Sequence, residues 1–168
     1  ISYVDQEDGQ LKGFDVEVGR LVAQELGWKA KVSRHDFEDL VSAIQAGQFV
    51  AGVASQSITA ARQAEVDFSD PYYYSGPQVF SRKKAPMVPL QDRSLAVSKG
   101  SIYEKIANDF SSKVTVFADN KQALQAVVDG TCDAAITDLI MGSNTVKEQK
   151  WDLHPNQSLG VSRQAIKV

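Results

Sequence analysis

The stretch Ser55-Gln56-Ser57-Ile58-Thr59-Ala60-Ala61-Arg62, followed by Val66-Asp67-Phe68-Ser69-Asp70-Pro71-Tyr72-Tyr73-Tyr74, gathers hydroxyls, backbone N–H groups and a guanidinium. An apolar run, Phe49 to Ala54, stops at this polar loop, and Thr59 reads as the N-cap of a short helix. Arg62 falls in the first turn, where the helix dipole offers a cation nothing. Together these groups suit one small carboxylate. Spacing alone also fits a solvated arginine or an ion-pair partner, and Ser or Thr ahead of a helix is an ordinary cap.

The elements that must position this loop alternate between helix and strand. After a turn at Gly9, the segment from Leu11 to Phe14 leads into a helix capped by Asp15, with Val16, Val18, Val22, Ala23 and Leu26 at helical spacing and Gly27 at its end. Lys29 to Val32 reads as a strand. Asp36 caps a second helix, with Phe37, Leu40, Val41 and Ile44 on one face and Gly47 at its end. The strand Phe49–Ala54, the polar loop, the Arg62 helix and an extended Tyr72–Arg82 segment follow. Residues 83–91 carry two prolines and read as a linker or crossover. The second half repeats the scheme: strand Ser94–Val97, a helix start at Gly100-Ser101, strand Val114–Phe117, a helix from about Lys121 to Val128, Gly130, and a buried strand Asp133–Thr137 ending at Asp138. Such alternation predicts an α/β protein with parallel sheets and right-handed crossovers.

The halves also correspond. Ser55 comes eight positions after the helix-ending Gly47, and Asp138 eight positions after Gly130. Each is expected just past the carboxyl end of a parallel strand, where open α/β sheets bind ligands. Two lobes facing each other across a cleft would make them opposite walls of one pocket. Helix-Gly-strand units are common, and an Asp after a strand is also a plain N-cap, so both readings stand at this point.

The ordered set of motifs resembles the extracytoplasmic amino-acid-binding proteins of ABC importers, family 3, which have the type II periplasmic-binding-protein fold. The resemblance rests on Ser55 to Arg62 with Val66 to Tyr72, on Gly13-Phe14-Asp15-Val16, on Ala43 to Gly47, on Gly100-Ser101, on Ala123 to Gly130 and on Asp133 to Asp138. It implies two lobes, 1–82 and 92–168, joined by a hinge at 83–91. It implies that Arg62 binds an α-carboxylate bidentately and Asp138 pairs with the α-ammonium. Ser55 and Ser57 would complete the ligand's hydrogen bonds, and Gly100 and Ser101 would present a helix N-terminus to the carboxylate. Phe37, Gln56 and Asn120 are candidates for the walls that choose the side chain.

By the same resemblance, the ligand is a polar or zwitterionic amino acid, the partner is a membrane permease, and the location is the periplasm or a lipid-anchored extracellular site. The family usually has Thr where this chain has Ile102. It also has an opening strand with an aromatic residue over the ligand, and later helices that return to the first lobe. Without those pieces the first lobe would expose apolar sheet surface and an unpaired edge, which a second chain could cover by swapping. The absence of an initiator Met and a signal peptide suggests a chain processed, trimmed or cut from something larger. Two other readings of the fold are a cyclohexadienyl dehydratase-like enzyme, with Glu104 as acid, and the sensory domain of a larger membrane receptor.

Composition sets bounds. The 168 residues are 43% hydrophobic and 23% charged, the formal charge is −3, and no apolar run approaches a membrane span. Nucleic acid and anionic surfaces are therefore not expected partners. Cys132 is the single cysteine, and His35 and His154 form no spaced metal pair, so no metal or cofactor is expected. No Gly-x-Ser-x-Gly elbow or glycine-rich phosphate loop occurs. Trp28 and Trp151 read as core or rim residues, and the three tyrosines as packing.

Overall fold

The computed structural model describes residues 1–86 and 89–168, and Met87 and Val88 of the expected linker lie outside the described residues. The chain forms two compact units, Ile1–Tyr73 with Arg163–Val168, and Tyr74–Ser162. The expected break at 83–91 is therefore displaced. Residues 77–81 form a fully buried strand of the second unit, and Leu90, 5% exposed, packs into that unit's core. Residues 163–168 return to the first unit, which the reading of 92–168 as one lobe did not foresee.

The first unit opens with a hairpin of β1 (Tyr3–Val4) and β2 (Leu11–Lys12), paired antiparallel. Helix α1 (Phe14–Glu25) follows, with Gly13 rather than Asp15 at its N-cap. Asp15 instead sits inside the first turn with its side chain buried. Helices α2 (Leu40–Gln45) and α3 (Ala60–Gln63) complete the unit's helices. Gly27 and Gly47 end α1 and α2 as expected, both at φ +70°. Each is followed by a residue whose N–H reaches back into the helix, Trp28 to the Ala23 carbonyl and Gln48 to that of Ala43. The core gathers Leu40, Ile44 and Val66.

Neither Lys29–Val32 nor Phe49–Ala54 becomes a regular strand. A strand needs a neighbour for its N–H and C=O groups, and here the partners are sparse. Around Gly52 the described backbone pairs with the returning chain are isolated bridges, Gly52↔Lys167 and Ser57↔Gln164, and Phe68 bridges to Lys167 as well. Trp28 and Val32 stay exposed, so Trp28 is no core residue. The tyrosines do pack: Phe14 lies 5.9 Å from Tyr72 and 5.6 Å from Tyr73, ring to ring.

The chain passes between the units inside two short strands, β3 (Tyr73–Ser75) and, after the second unit, β9 (Ser162–Gln164). The second unit contains β4 (Pro77–Ser81), β5 (Leu95–Ser98), α4 (Ile102–Phe110), β6 (Val114–Phe117), α5 (Asn120–Val128), β7 (Ala134–Asp138), α6 (Leu139–Gln149) and β8 (His154–Ser158). Its sheet has the order β6-β5-β7-β4-β8. The α/β class holds, but the sheet is mixed: β5 runs parallel to β6 and β7, while β4 is antiparallel to β7 and β8. One face packs Val79, Leu95, Val97 and Ile136 against Tyr103 and Ala107 of α4. The other packs Phe80, Ala96, Ala135 and Cys132 against Ala123, Leu124 and Val127 of α5. Every residue of β4, β5 and β7 is buried, as expected of strands covered on both faces.

Gly142 in α6 tests how tightly this sheet is covered. A Cβ there would lie 2.5 Å from the ring of fully buried Phe80 and 2.9 Å from Thr137 Cγ2. Replacing a helical Gly by Ala ordinarily gains up to about 1 kcal/mol in propensity. Overpacking against a ring that cannot move costs about 1–3 kcal/mol and outweighs that gain. Gly142→Ala should therefore lower the urea midpoint of unfolding, and an unchanged or raised midpoint would show that Phe80 has room to shift.

Candidate functional site

In the first unit, the loop before α3 takes its shape from side chains far away in sequence. Ser55 has φ +50°, a left-handed conformation unusual for a residue with a Cβ. Its N–H donates to Tyr72 Oη at 3.0 Å, and its Oγ donates to the Asp15 carboxylate at 2.7 and 2.8 Å. Tyr72 Oη donates in turn to Asp15 Oδ1 at 2.7 Å. Burial pushes the Tyr72 phenol above its usual range, which keeps it protonated and able to donate. Asp15 and Tyr72 thus hold the bend, and the Ser55 hydroxyl proton is committed to Asp15. Sequence reasoning saw Asp15 as a cap and Tyr72 as packing. An acidic residue inside an apolar helix face was the available signal.

The other loop residues divide into support and site. Thr59 caps α3 as expected, its Oγ1 accepting from Arg62 N–H at 3.2 Å. Helix α3 has only four residues and Arg62 falls in its last turn rather than its first, so the helix dipole has little bearing on the guanidinium. The Arg62 guanidinium is half-buried, donates through Nη1 to the Ser57 carbonyl at 2.9 Å, and lies 5.8 Å over the Phe37 ring. Ser57 Oγ accepts from Gln164 Nε2 at 3.3 Å. Gln56 is buried with both ends of its amide occupied: Nε2 donates to the Phe37 carbonyl at 2.8 Å, and Oε1 accepts from Lys167 Nζ. The first unit therefore brings Phe37, Ser57 and Arg62 together, with Gln56 beneath Phe37 as a tie.

In the second unit, Asp138 closes buried β7 and caps α6, its Oδ1 accepting from Met141 N–H at 2.9 Å. The residue is 5% exposed, and Oδ2 has no hydrogen-bond partner among the described residues. An unpaired carboxylate oxygen withheld from water is costly unless a donor or cation arrives. Extending the parallel register of Ala96 with Ala135 brings Lys99 level with Asp138, so the turn at Gly100 and Ser101 lies at the same end of the sheet. Gly100 turns the chain at φ +70°. Ser101 stands at the N-cap of α4, yet its Oγ donates backwards to the Ser98 carbonyl at 2.7 Å. Ser101 gives the helix no side-chain cap, and α4 starts at the same sheet end as Asp138. A buried carboxylate oxygen and a helix start at one sheet end suit a ligand carrying both charges.

Other candidates resolve differently. Asn120 supports the sheet, Oδ1 accepting from Thr137 Oγ1 at 2.8 Å. His154 pairs with Asp152 at 2.9 Å, and His35 packs edge-on against Phe49. Among the described residues no group of three or more His, Cys, Asp or Glu could hold a metal ion, and no helix is long and apolar enough to cross a membrane.

Comparison with known proteins gives the family and the fold. The model of the bacterial extracellular solute-binding proteins, family 3, matches residues 1–140. The arginine-binding extracellular protein ArtP of Bacillus subtilis is 27% identical over 149 residues, which cover 84% of this chain and 58% of that protein. The lysine/arginine/ornithine-binding periplasmic protein of Escherichia coli is 29% identical over 149 residues, covering 84% and 57%. The chain thus spans less than three-fifths of the length of these curated relatives. The arginine-bound form of a truncated ArgBP from T. maritima superposes with a TM-score of 0.88 at 26% identity, over 99% of this chain and 81% of that one. The motifs in the two halves, the mixed α/β fold and the family match converge. The chain belongs to the bacterial extracellular solute-binding proteins of family 3.

Proposed function

We propose that this protein captures a polar or zwitterionic amino acid outside the cytoplasmic membrane and hands it to an ABC importer without transforming it. Arg62 takes the α-carboxylate, and Asp138 takes the α-ammonium. The observation that carries this reading is the buried Asp138 Oδ2, which has no partner among the described residues. An ammonium supplies what that oxygen lacks, a positive charge and a hydrogen-bond donor in one group. The N-terminus of α4 adds N–H groups to the carboxylate, as a helix start commonly does for anions. On the Arg62 side, the Ser57 carbonyl and the Phe37 ring hold the guanidinium, which lowers the entropy lost when it engages an anion. The names of the relatives, which bind basic amino acids, support an amino-acid ligand.

Each unit supplies one charge, so a ligand that engages both favours the closed form by differential contact. The two crossings, in β3 and β9, are where the hinge of that closure belongs.

Isothermal titration with the twenty amino acids, and with prephenate and arogenate, tests the reading. Binding of one or more amino acids without product is expected, and turnover of arogenate would overturn it in favour of the dehydratase alternative. Arg62→Ala should lose the rise in melting temperature on adding that amino acid. Asp138→Asn should weaken binding by about 2–5 kcal/mol, because it leaves the ammonium without its counter-charge. The same change keeps the Oδ1 cap and removes an uncompensated charge, so the ligand-free protein should melt at a higher temperature. Lower stability together with unchanged affinity would remove Asp138 from the site.

A further inference from the structure

Lys167 is fully buried, and it is one of the largest side chains in the molecule with no exposure. Its stem meets Leu40 and Ile44 over Gly52, the spot where a Gly52 side chain would have to fit. Its Nζ donates to Gln56 Oε1, and no carboxylate pairs with it among the described residues. Gln56 Nε2 donates to the Phe37 carbonyl, and the ring of Phe37 lies beneath the Arg62 guanidinium. A continuous tie therefore runs from a buried amine to the anchor of the proposed carboxylate subsite. Such a group costs folding energy, and neither the core nor the first unit's bridges need it, because an apolar side chain would fill the same volume.

We infer that Lys167 is a positioning residue for the Arg62 subsite, fixing Phe37 through Gln56 and lending the subsite a second positive charge when an anion occupies it. The inference rests on the amino-acid reading above. Burial, and then the Arg62 charge, lowers the Lys167 ammonium to about 7, so the amine can gain a proton near neutrality. Arg62, from α3, is the charged group that acts on it. Asp39 beside α2 and Asp67 beside the returning segment are exposed to solvent, as are Glu38, Glu65 and His35. An anion beside Arg62 offsets the repulsion between the two cations, so ligand binding draws a proton from solvent onto Nζ.

The test uses the full chain and, as probe, whichever of the twenty amino acids raises its melting temperature most. Titration calorimetry in buffers of different ionisation enthalpy should show proton uptake on binding near pH 7, and affinity should rise as pH falls from 8 to 6. Lys167→Met should weaken binding by about fivefold to tenfold and abolish the proton uptake. The paired change Gln56→Leu with Lys167→Met leaves neither polar partner stranded, and it serves if the single variant folds poorly. Unchanged affinity, or proton uptake that survives in either variant, would overturn the inference. If Arg62→Ala loses binding while the Lys167 variants keep it, the amino-acid reading stands and this inference alone fails. If none of the twenty binds, both fall.

Discussion

Asp138 ends a strand that is buried along its whole length, with one carboxylate oxygen committed to the Met141 N–H and the other to no partner among the described residues. The fold puts it there for a simple reason. β5 and β7 run parallel and finish at the same edge, and α4 and α6 both begin at that edge. Every helix start leaves N–H groups without intrahelical partners, so the edge is rich in donors. Asp138 spends one oxygen to satisfy one of them. The second oxygen stays buried without a hydrogen-bond partner among the described residues, and burying an unsatisfied polar atom costs free energy. The remainder of the second unit is built to bear that cost, with two apolar cores clamping the sheet between α4 on one face and α5 on the other.

The first unit solves a different problem. Its polar loop has no regular strand to lean on, so its shape must come from side chains. Asp15 collects the Ser55 and Tyr72 hydroxyls, and Gln56 collects Phe37 and Lys167. Each tie reaches across a long stretch of chain, and together they let a left-handed serine persist. A loop fixed in this way can present Arg62 with little freedom left to lose, and that is where a bidentate guanidinium gains most.

What could be read from sequence follows from the range of the interactions involved. Caps act over three residues, so Thr59 and Asp138 were legible as helix starts, and Gly27, Gly47 and Gly130 as helix ends. Strand pairing is non-local. Nothing within Pro77–Ser81 says that its neighbours run antiparallel, and nothing within Phe49–Ala54 says that it will find only isolated bridges. The same holds for the unit boundary. Two prolines marked 83–91 as a crossover, but Leu90 is claimed by a core assembled from β4, β5 and β7. Of the site, Arg62 and Asp138 stand at local landmarks, whereas Asp15, Tyr72 and Lys167 act through partners 40, 57 and 111 residues away.

On the proposed reading, the division of charge between the units has a consequence for selectivity. The first unit holds the Arg62 guanidinium at its loop with the Lys167 amine behind it, while the second holds a buried carboxylate oxygen with no partner among the described residues. A solute with a carboxylate alone meets the first set and leaves Asp138 as costly as before. An amine alone does the reverse, and it brings no anion to Arg62. Under that proposal a molecule with both groups relieves both penalties, and losing one partner of a desolvated pair costs about 2–5 kcal/mol. Discrimination against half-matched solutes then comes mainly from what they leave unsatisfied, so the side chain of the amino acid can vary without weakening the grip on its two charged ends.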